Sequence, residues 1–262
     1  MRVVVTGSAG FVGRHAVAAL EARGDSVLGV DRRTGHDLSD FGAAHEAAAF
    51  RPDAVIHLAS SCSTAGSMQD PLGTFRDTVC TAANVLEAFR GVPVIVTSSV
   101  KARDGRTPYG AAKRMVETWA LEQREAYRVP IIVNRPGTIY GPGQEGSTDS
   151  GWIAWFVRAR DTGELVTVYG SGNQQRDLLH VSDYVRLLLT QLDDLPLYDV
   201  GRPWDVGGGP TNTVTVEGMV RHLGLRHVHD RERYGDAARY VGVNDVPGWQ
   251  PLVDWRESET LA

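Results

Sequence analysis

The chain has 262 residues, 42% of them hydrophobic, and a net charge of −5. These values indicate a globular protein with one large core and a smaller appendage, and they exclude a disordered chain. The acidic balance argues against a nucleic acid partner, and no apolar stretch approaches the roughly 18 residues of a membrane helix. Cys62 and Cys80 have no metal-ligand spacing, so we expect no metal site, a buried Cys62 and a reducing, cytoplasmic setting.

Short apolar runs alternate with helical patterns through the first half of the chain. The predicted elements are strand 2–6, helix 11–22, strand 26–31, helix 43–50, strand 54–58, helix 74–89, strand 92–98, helix 109–127 and strand 130–134. Strands separated by helices of this length form a parallel sheet that is covered on both faces. Because the crossovers are right-handed, the pattern predicts an α/β fold with a doubly wound parallel Rossmann sheet.

The second half is less regular. Its predicted elements are a Gly- and Pro-rich loop 136–151, helix 152–160, strand 165–169, helix 182–191, a turn-rich segment 196–210, helix 216–223 and an irregular acidic tail. We therefore expect a dinucleotide-binding domain over residues 1–135, with a return segment near 181–202. Residues 136–180 and 203–262 are expected to form a small C-terminal α/β substrate lobe.

Three glycines follow the first strand in the order Gly7-Ser-Ala-Gly10-Phe-Val-Gly13. Such a turn lets the backbone approach a pyrophosphate at the start of a helix. Asp31, 18 residues after Gly13, ends the second strand, where a carboxylate can hold the ribose hydroxyls of NAD. Arg32 and Arg33 follow and would suit the 2′-phosphate of NADP, so NAD is favoured and NADP stays open. The alternative is that the glycines serve a turn and Asp31 caps a loop.

Tyr109 and Lys113 lie four residues apart in a predicted helix and so share one face. A nearby ammonium favours the phenolate, which can accept a proton from a substrate hydroxyl while hydride leaves the same carbon. Ser99 follows a predicted strand at the carboxyl edge of the sheet, where doubly wound folds bind ligands. A Tyr-x-x-x-Lys spacing and a serine at a strand end are each common, and only their combination with the glycine turn indicates a catalytic site.

These motifs resemble the extended short-chain dehydrogenase/reductase family, the NAD-dependent epimerases and dehydratases dominated by sugar-nucleotide enzymes. The likeness continues along the chain in the segments Asp37-Leu38, His57-Leu-Ala-Ser60, Asn84-Val-Leu-Glu-Ala88, Tyr140-Gly-Pro-Gly-Gln144, Arg176-Asp-Leu-Leu-His-Val-Ser-Asp183, Arg233-Tyr-Gly-Asp236 and Gly248-Trp-Gln-Pro251.

The resemblance implies that Tyr109 is the catalytic base, that Lys113 binds the ribose and tunes the base, and that Ser99 holds the substrate hydroxyl. It implies that the substrate contacts are Ser99, Thr138, Arg176, Arg233 and Asp236, with the two arginines on a diphosphate. The cofactor contacts that it implies are Gly7, Gly10, Phe11, Val12, Gly13, Asp31, Arg32, Asp37, Leu38, Leu58, Ala59, Tyr109 and Lys113. The helix of Tyr109 carries an apolar stripe of Ala112, Met115, Val116, Trp119 and Ala120. Since such a helix often forms the dimer seam in this family, the resemblance implies a homodimer.

The sequence also departs from the family pattern. Tyr109 follows Ser99 after only 10 positions, where relatives have a longer loop, and Val100 and Lys101 replace the Asp-Glu pair of the 4,6-dehydratases. The short segment after Asp31 leaves little room for a third strand and is similar to that of 4-keto-sugar reductases. We expect an NAD(P)-dependent epimerase that acts on a nucleoside-diphosphate sugar, at carbon 4. The alternatives are an NAD(P)H-dependent 4-keto-sugar reductase and a non-catalytic dinucleotide-binding protein.

Overall fold

The computed structural model describes residues 1–148 and 150–261. Its strands are β1 Arg2–Thr6, β2 Ser26–Val30, β3 Ala54–His57, β4 Val94–Thr97, β5 Ile131–Pro136, β6 Thr138–Tyr140, β7 Val166–Tyr169, β8 Gln175–His180, β9 Trp204–Val206, β10 Thr213–Thr215, β11 His227–Asp230 and β12 Arg239–Tyr240. Its α-helices are α1 Phe11–Ala22, α2 Phe41–Ala48, α3 Thr64–Gln69, α4 Pro71–Phe75, α5 Thr81–Ala88, α6 Pro108–Tyr127, α7 Trp152–Thr162, α8 Val181–Asp193, α9 Leu195–Tyr198 and α10 Val216–His222.

Six parallel strands form the main sheet, in the order β2-β1-β3-β4-β5-β9. The strands are apolar because helices cover both faces, as the full burial of Val3, Val4 and Val5 in β1 illustrates. On one face, α1 and α8 pack through residues such as Leu20 and Leu187. On the other face, α2, α5 and α6 pack through Ala44, Val85 and Val116. The predicted doubly wound α/β fold is confirmed.

A second group of elements lies beyond the main sheet. Strand β8 pairs with β10, β12 and β6, strand β7 pairs with β11, and α7 and α10 enclose a third core with Trp155, Phe156 and Met219. The expected boundary at residue 203 assigns β9 to this group. The structure instead pairs β9 with β5 in the main sheet, because the chain returns there after α8. The division of the chain into two lobes stays a prediction.

Several elements differ from the sequence expectations. The predicted helix 74–89 is interrupted by a π-helical turn, Arg76–Cys80, between α4 and α5. The predicted loop 136–151 contains β6, and the predicted irregular tail contains β11 and β12. The segment between β2 and α2 forms a 3-10 turn, Arg32–Thr34. Among the described residues this segment forms no further strand, so β2 is the edge strand of the main sheet. No helix of the described chain is long and apolar enough to cross a membrane.

The start of α1 packs directly on the turn that follows β1. A Cβ atom at Gly13 would lie 2.0 Å from the carbonyl oxygen of Gly7. The substitution Gly13→Ala therefore requires either the helix or the turn to shift. We expect this change to cost roughly 1–3 kcal/mol of unfolding free energy, measured by thermal denaturation. The control, Ala18→Ser, also adds one heavy atom to α1, at an exposed position, and should leave the midpoint unchanged. Equal midpoints for Gly13→Ala and the native protein would contradict the proposed contact.

Candidate active site

The glycine turn after β1 has the geometry that a phosphate group requires. Gly7 has a φ of +69°, in the left-handed region that favours glycine, and a Cβ there would lie 2.8 Å from the Ala59 nitrogen. The nitrogen of Gly10 donates to the carbonyl of Gly7 (3.0 Å), and Phe11 and Val12 begin α1. The first turn of α1 contains no acidic residue. Free N–H groups at the start of a helix, without a competing carboxylate, fit a pyrophosphate.

Leu58 and Ala59 follow β3 beside this turn. Their backbone nitrogens both donate to the hydroxyl of Thr6, each over 3.2 Å. That hydroxyl also lies 2.8 Å from Nδ1 of His57. Burial, with the charge of Lys113 acting in the same direction, lowers the pKa of His57 to about 3, so the imidazole is neutral. Because the Thr6 hydroxyl already accepts from two N–H groups, it donates its own hydrogen to Nδ1 of His57. His57 therefore holds the strand ends in place and carries no charge.

The carboxylate of Asp31 is held against the glycine turn. Its Oδ2 accepts from the nitrogen of Ala9 (3.1 Å), and its Oδ1 accepts from the nitrogen of Arg33 (2.8 Å). The capping role that the sequence left as an alternative is therefore real, and it also fixes the carboxylate beside the turn. The guanidinium of Arg32 forms an ion pair with Asp77 (3.1 Å). Both arginines are exposed at this end of the site.

Asp37 and Leu38 lie in the short segment after β2. The carboxylate of Asp37 accepts from the nitrogen of Ser39 (3.0 Å), and this hydrogen bond lowers its pKa. Leu38 is buried, and the amide of Asn84 donates to the carbonyls of Leu38 and Ser39, each over 3.0 Å. The side chain of Asn84 on α5 therefore fixes the segment around Leu38 that the sequence analysis assigned to the cofactor. Asp37 itself is exposed and lies 3.8 Å from Arg32.

The π-helical turn between α4 and α5 was not predicted from the sequence. It places the hydroxyl of Thr78 where it accepts from the nitrogen of Ser61 (3.3 Å), and Thr78 is buried. Turns of this kind occur frequently at functional sites, because they reorient one side chain within a helix. Thr78 therefore supports the chain just beyond Leu58 and Ala59.

Tyr109, Ser99 and Lys113 meet at the carboxyl edge of the sheet. The buried ammonium of Lys113 donates to the carbonyl of Thr97 (2.8 Å) and to the hydroxyl of Ser60 (2.8 Å), which joins α6 to the ends of β4 and β3. Tyr109 lies one helical turn earlier, and Ser99 is near enough to influence the pKa of its phenol. The structure thus brings together the three residues that the sequence selected.

Burial dominates the electrostatics of this group. It raises the pKa of the Tyr109 phenol to about 12, against the opposing effect of the Ser99 hydrogen bond. It also lowers the pKa of Lys113 to about 8, although Glu117 favours the charged form. Burial therefore shifts the pKa of the phenol in the direction opposite to the one that the sequence analysis expected from a nearby ammonium.

Glu117 continues the polar face of α6 by one more turn and was missed in the sequence. Its carboxylate accepts from the hydroxyl of Ser98 (2.5 Å) and, through both oxygens, from the guanidinium of Arg135 on β5 (2.7 and 2.5 Å). This hydrogen bonding raises the pKa of Arg135. The available signal was the regular spacing of Tyr109, Lys113 and Glu117 at intervals of four residues.

A cavity of about 560 Å³ opens next to this cluster. The described lining of this cavity includes Cys62. It does not include four of the predicted site residues, namely Ser99, Tyr109, Lys113 and Thr138. The expected burial of Cys62 is wrong: the residue is exposed, because the chain has already left the sheet at the end of β3. A hydrogen bond joins the cavity to this cluster, because the backbone nitrogen of Lys101, which lines the cavity, donates to the hydroxyl of Ser99 (3.3 Å).

Two arginines are fixed in the wall of the cavity. Arg176 is 8% exposed, forms an ion pair with Asp236 and donates to the carbonyl of Ala237 (3.0 Å). The guanidinium of Arg233 lies 3.5 Å above the centre of the Tyr169 ring. The predicted substrate residues Arg176, Arg233 and Asp236 therefore come together, and Asp236 orients an arginine. Fixed guanidinium groups of this kind suit phosphate oxygens.

Lys101 is the site residue whose role the sequence did not reveal. Its ammonium faces the same cavity, donates to the hydroxyl of Thr64 (2.6 Å) and forms no ion pair with any described carboxylate. Burial, reinforced by Arg176, lowers its pKa to about 8. The whole chain contains only two lysines among its 27 basic residues, Lys101 and Lys113, and both lie here. That scarcity was the signal, since lysine, unlike arginine, can lose its proton near neutral pH.

Comparison with known proteins agrees with this arrangement. Residues 3–207 match the model of the NAD dependent epimerase/dehydratase family. The chain belongs to this family. It is 27% identical to the UDP-glucose 4-epimerase of Mycolicibacterium smegmatis, over 97% of this chain and 94% of that protein. It is 29% identical to a dTDP-4-dehydro-6-deoxy-D-allose reductase of a Streptomyces species, over 73% of this chain and 72% of that protein.

A solved structure is similar over nearly the whole length. MoeE5 in complex with UDP-glucuronic acid and NAD is 30% identical, with a TM-score of 0.87 over 98% of this chain and 96% of that chain. The relatives of this family member therefore include an epimerase and a reductase, so membership defines the class of chemistry and leaves the reaction open.

If Lys101 binds an anion, its titration should govern ligand affinity. We expect inorganic pyrophosphate to bind roughly tenfold less tightly to Lys101→Met than to the native protein at pH 7, measured by calorimetry. The difference should shrink as the pH rises to 9, because Lys101 loses its charge with a pKa of about 8. The matched variant Lys101→Arg keeps its charge and should lose little affinity over the same range. Identical pH profiles for all three proteins would contradict this role.

Proposed function

We propose that the protein is an NAD-dependent epimerase that acts on a nucleoside-diphosphate sugar, at carbon 4. The observation that supports the proposal is that the hydroxyl of Ser99 accepts from the backbone nitrogen of Lys101 (3.3 Å), and Lys101 lines a cavity together with Arg176 and Arg233. A neutral sugar requires one proton acceptor at its carbinol, whereas a diphosphate requires several fixed cations. The cations line the cavity, and Ser99 joins it to the candidate proton acceptor. UDP-glucose and UDP-glucuronic acid are named for relatives.

The site is suited to a dinucleotide. The glycine turn and the start of α1 fit the pyrophosphate, and the carboxylate of Asp31 fits ribose hydroxyls while repelling a 2′-phosphate. Arg32 is already paired with Asp77, and Arg33 donates to the carbonyl of Ala9 (3.1 Å). These contacts favour NAD, as does the NAD named for MoeE5. NADP remains the alternative, because both arginines are exposed.

Tyr109 is proposed as the group that moves the proton. Its phenol, with a pKa of about 12 in the protein alone, is neutral at pH 7 and must lose its proton before it can act as a base. Oxidised NAD, when bound, accepts the hydride from the carbinol and brings a positive charge that favours the phenolate. Ser99 would hold the substrate oxygen, and Lys113, which is fixed by Thr97 and Ser60, would bind the ribose.

Epimerisation returns the hydride to the opposite face of the sugar, so it involves no net oxidation. The short segment after β2 favours a second candidate, a 4-keto-sugar reductase that consumes NAD(P)H. Chromatography of nucleoside-diphosphate hexoses and keto-hexoses, incubated with and without added reduced cofactor, separates the two. Interconversion without cofactor consumption is the expected outcome, and turnover only of keto-sugars with oxidation of NAD(P)H would establish the reductase instead.

The Tyr109→Phe protein tests the catalytic assignment. Since it lacks the hydroxyl that accepts the proton, we expect turnover to fall by roughly 10²–10⁴-fold while the affinity for NAD is retained. The control, Tyr127→Phe, removes a hydroxyl from the exposed end of the same helix and should keep full activity. Undiminished turnover by Tyr109→Phe would rule out Tyr109 as the base. An absence of any turnover in the native protein would favour the non-catalytic alternative.

We also propose that the protein is a homodimer that associates through α6 and α4. Met115 and Trp119 on α6 are each 48% exposed, and Leu72 and Phe75 on the adjacent α4 are exposed as well. Large apolar side chains on two neighbouring helices form the kind of surface that a second copy covers. Ala112, Val116 and Ala120, the other members of the predicted stripe, pack inward.

Sedimentation velocity tests this association. The native protein should sediment as a dimer and Trp119→Glu as a folded monomer, because a buried unpaired carboxylate opposes association. The control, Leu165→Glu, places the same charge at an exposed residue of the other half of the chain and should remain dimeric. A monomeric native protein, or a dimeric Trp119→Glu, would contradict the proposed interface.

A further inference from the structure

A group of potential metal ligands lies outside the cavity, where α10 approaches β11. His227 and His229 alternate along β11 and therefore point to the same face of the strand. Glu217, near the start of α10, faces them. One ligand atom from each of the three side chains lies within 4.8 Å of the others. None of these residues takes part in the proposed epimerase chemistry.

Backbone carbonyls define which nitrogen of each histidine is free. Nδ1 of His227 lies 3.3 Å from the carbonyl of Leu225, and Nδ1 of His229 lies 2.8 Å from the carbonyl of Gly170. Because a carbonyl only accepts hydrogen bonds, both Nδ1 atoms must carry the proton. In the neutral rings, both Nε2 atoms then present lone pairs. This arrangement is typical of metal-binding histidines, which donate their other N–H to a carbonyl or carboxylate.

The carboxylate of Glu217 completes the group. Its Oε2 lies 3.6 Å from Nε2 of His227 and 3.6 Å from Nε2 of His229. It is buried and has no hydrogen-bond partner among the described residues, whereas Oε1 accepts from Arg221 (3.0 Å). A buried oxygen without a partner is costly. Here it faces two lone pairs, so three acceptors converge without a donor between them.

We propose that Glu217, His227 and His229 bind a divalent transition metal ion, with zinc as the best fit. Two imidazole nitrogens and one carboxylate oxygen are ligands that zinc prefers, at bonds of about 2.0–2.2 Å. In a tetrahedral site such bonds put ligand atoms about 3.4 Å apart, close to the two separations of 3.6 Å. The side chain of His229 is 45% exposed, which leaves the fourth position open to water.

The bound ion would act as a structural link. It would connect α10 to β11, and β11 pairs with β7, whose last residue, Tyr169, supports Arg233. A cation that binds only the folded chain stabilises it in proportion to its affinity and concentration. The alternative is that one histidine is protonated and forms an ion pair with Glu217. At 3.6 Å this contact is too long for a hydrogen bond.

Titration of the full-length chain with zinc chloride after removal of metals by chelation tests the proposal. At pH 7.5 we expect one equivalent to bind and the unfolding midpoint to rise, with no such rise for magnesium chloride. His229→Ala and Glu217→Gln should each weaken zinc binding roughly tenfold or more. The control, His45→Ala, removes an exposed histidine from α2 and should leave the affinity unchanged.

Cobalt chloride gives a readout that does not depend on stability. We expect visible absorption bands of a low-coordinate cobalt ion in the native protein, their loss in Glu217→Gln, and their persistence in His45→Ala. Circular dichroism of the metal-free Glu217→Gln, which preserves side-chain shape, separates lost binding from misfolding. Binding that does not saturate at one equivalent, or that survives both ligand substitutions, would overturn the proposal. An unfolding midpoint that falls equally in Glu217→Gln with and without zinc chloride would identify an ion pair instead.

Discussion

The bonds that the Lys113 ammonium makes with the Thr97 carbonyl and the Ser60 hydroxyl determine how α6 sits on the sheet. Because these acceptors lie at the ends of two neighbouring strands, the helix is fixed both along its axis and in rotation. Tyr109 then reaches Ser99 one turn earlier, and Glu117 reaches Arg135 one turn later. One polar stripe on an otherwise apolar helix face thus connects the core to the candidate site.

Burial shifts the pKa values of the ionisable side chains at the site, and it disfavours the charged form of each. The same desolvation that lowers the pKa of both lysines to about 8 raises that of Tyr109 to about 12. The cationic side chains of Lys101, Arg176 and Arg233 therefore line one cavity, whereas the phenol of Tyr109 favours its protonated form when no cofactor is bound. The pKa of Tyr109 would then depend on whether a charged cofactor is bound, and the site without a cofactor would be unreactive.

The sequence predicted secondary-structure bounds most accurately for long helices with a regular apolar pattern. Helix α1 begins and ends where it was predicted, and α6 differs by one residue. Strand β8 was missed because Gln175-Arg-Asp-Leu-Leu-His180 does not alternate, and the three residues of β9 are too few for a pattern. The alternation of His227 and His229 was visible, but Glu217 comes from another element, and only the packing of α10 on β11 brings it near.

The sequence by itself determined the sheet, the glycine turn, and the residues Tyr109 and Lys113, because each depends on spacings within one strand, turn or helix. The tertiary structure decided the exposure of Cys62, the place of Lys101 in the cavity and the pairing of Arg176 with Asp236. It also decided the burial that raises the pKa of Tyr109. Burial and the distance between charges depend on residues far apart in the chain, and no local pattern specifies them.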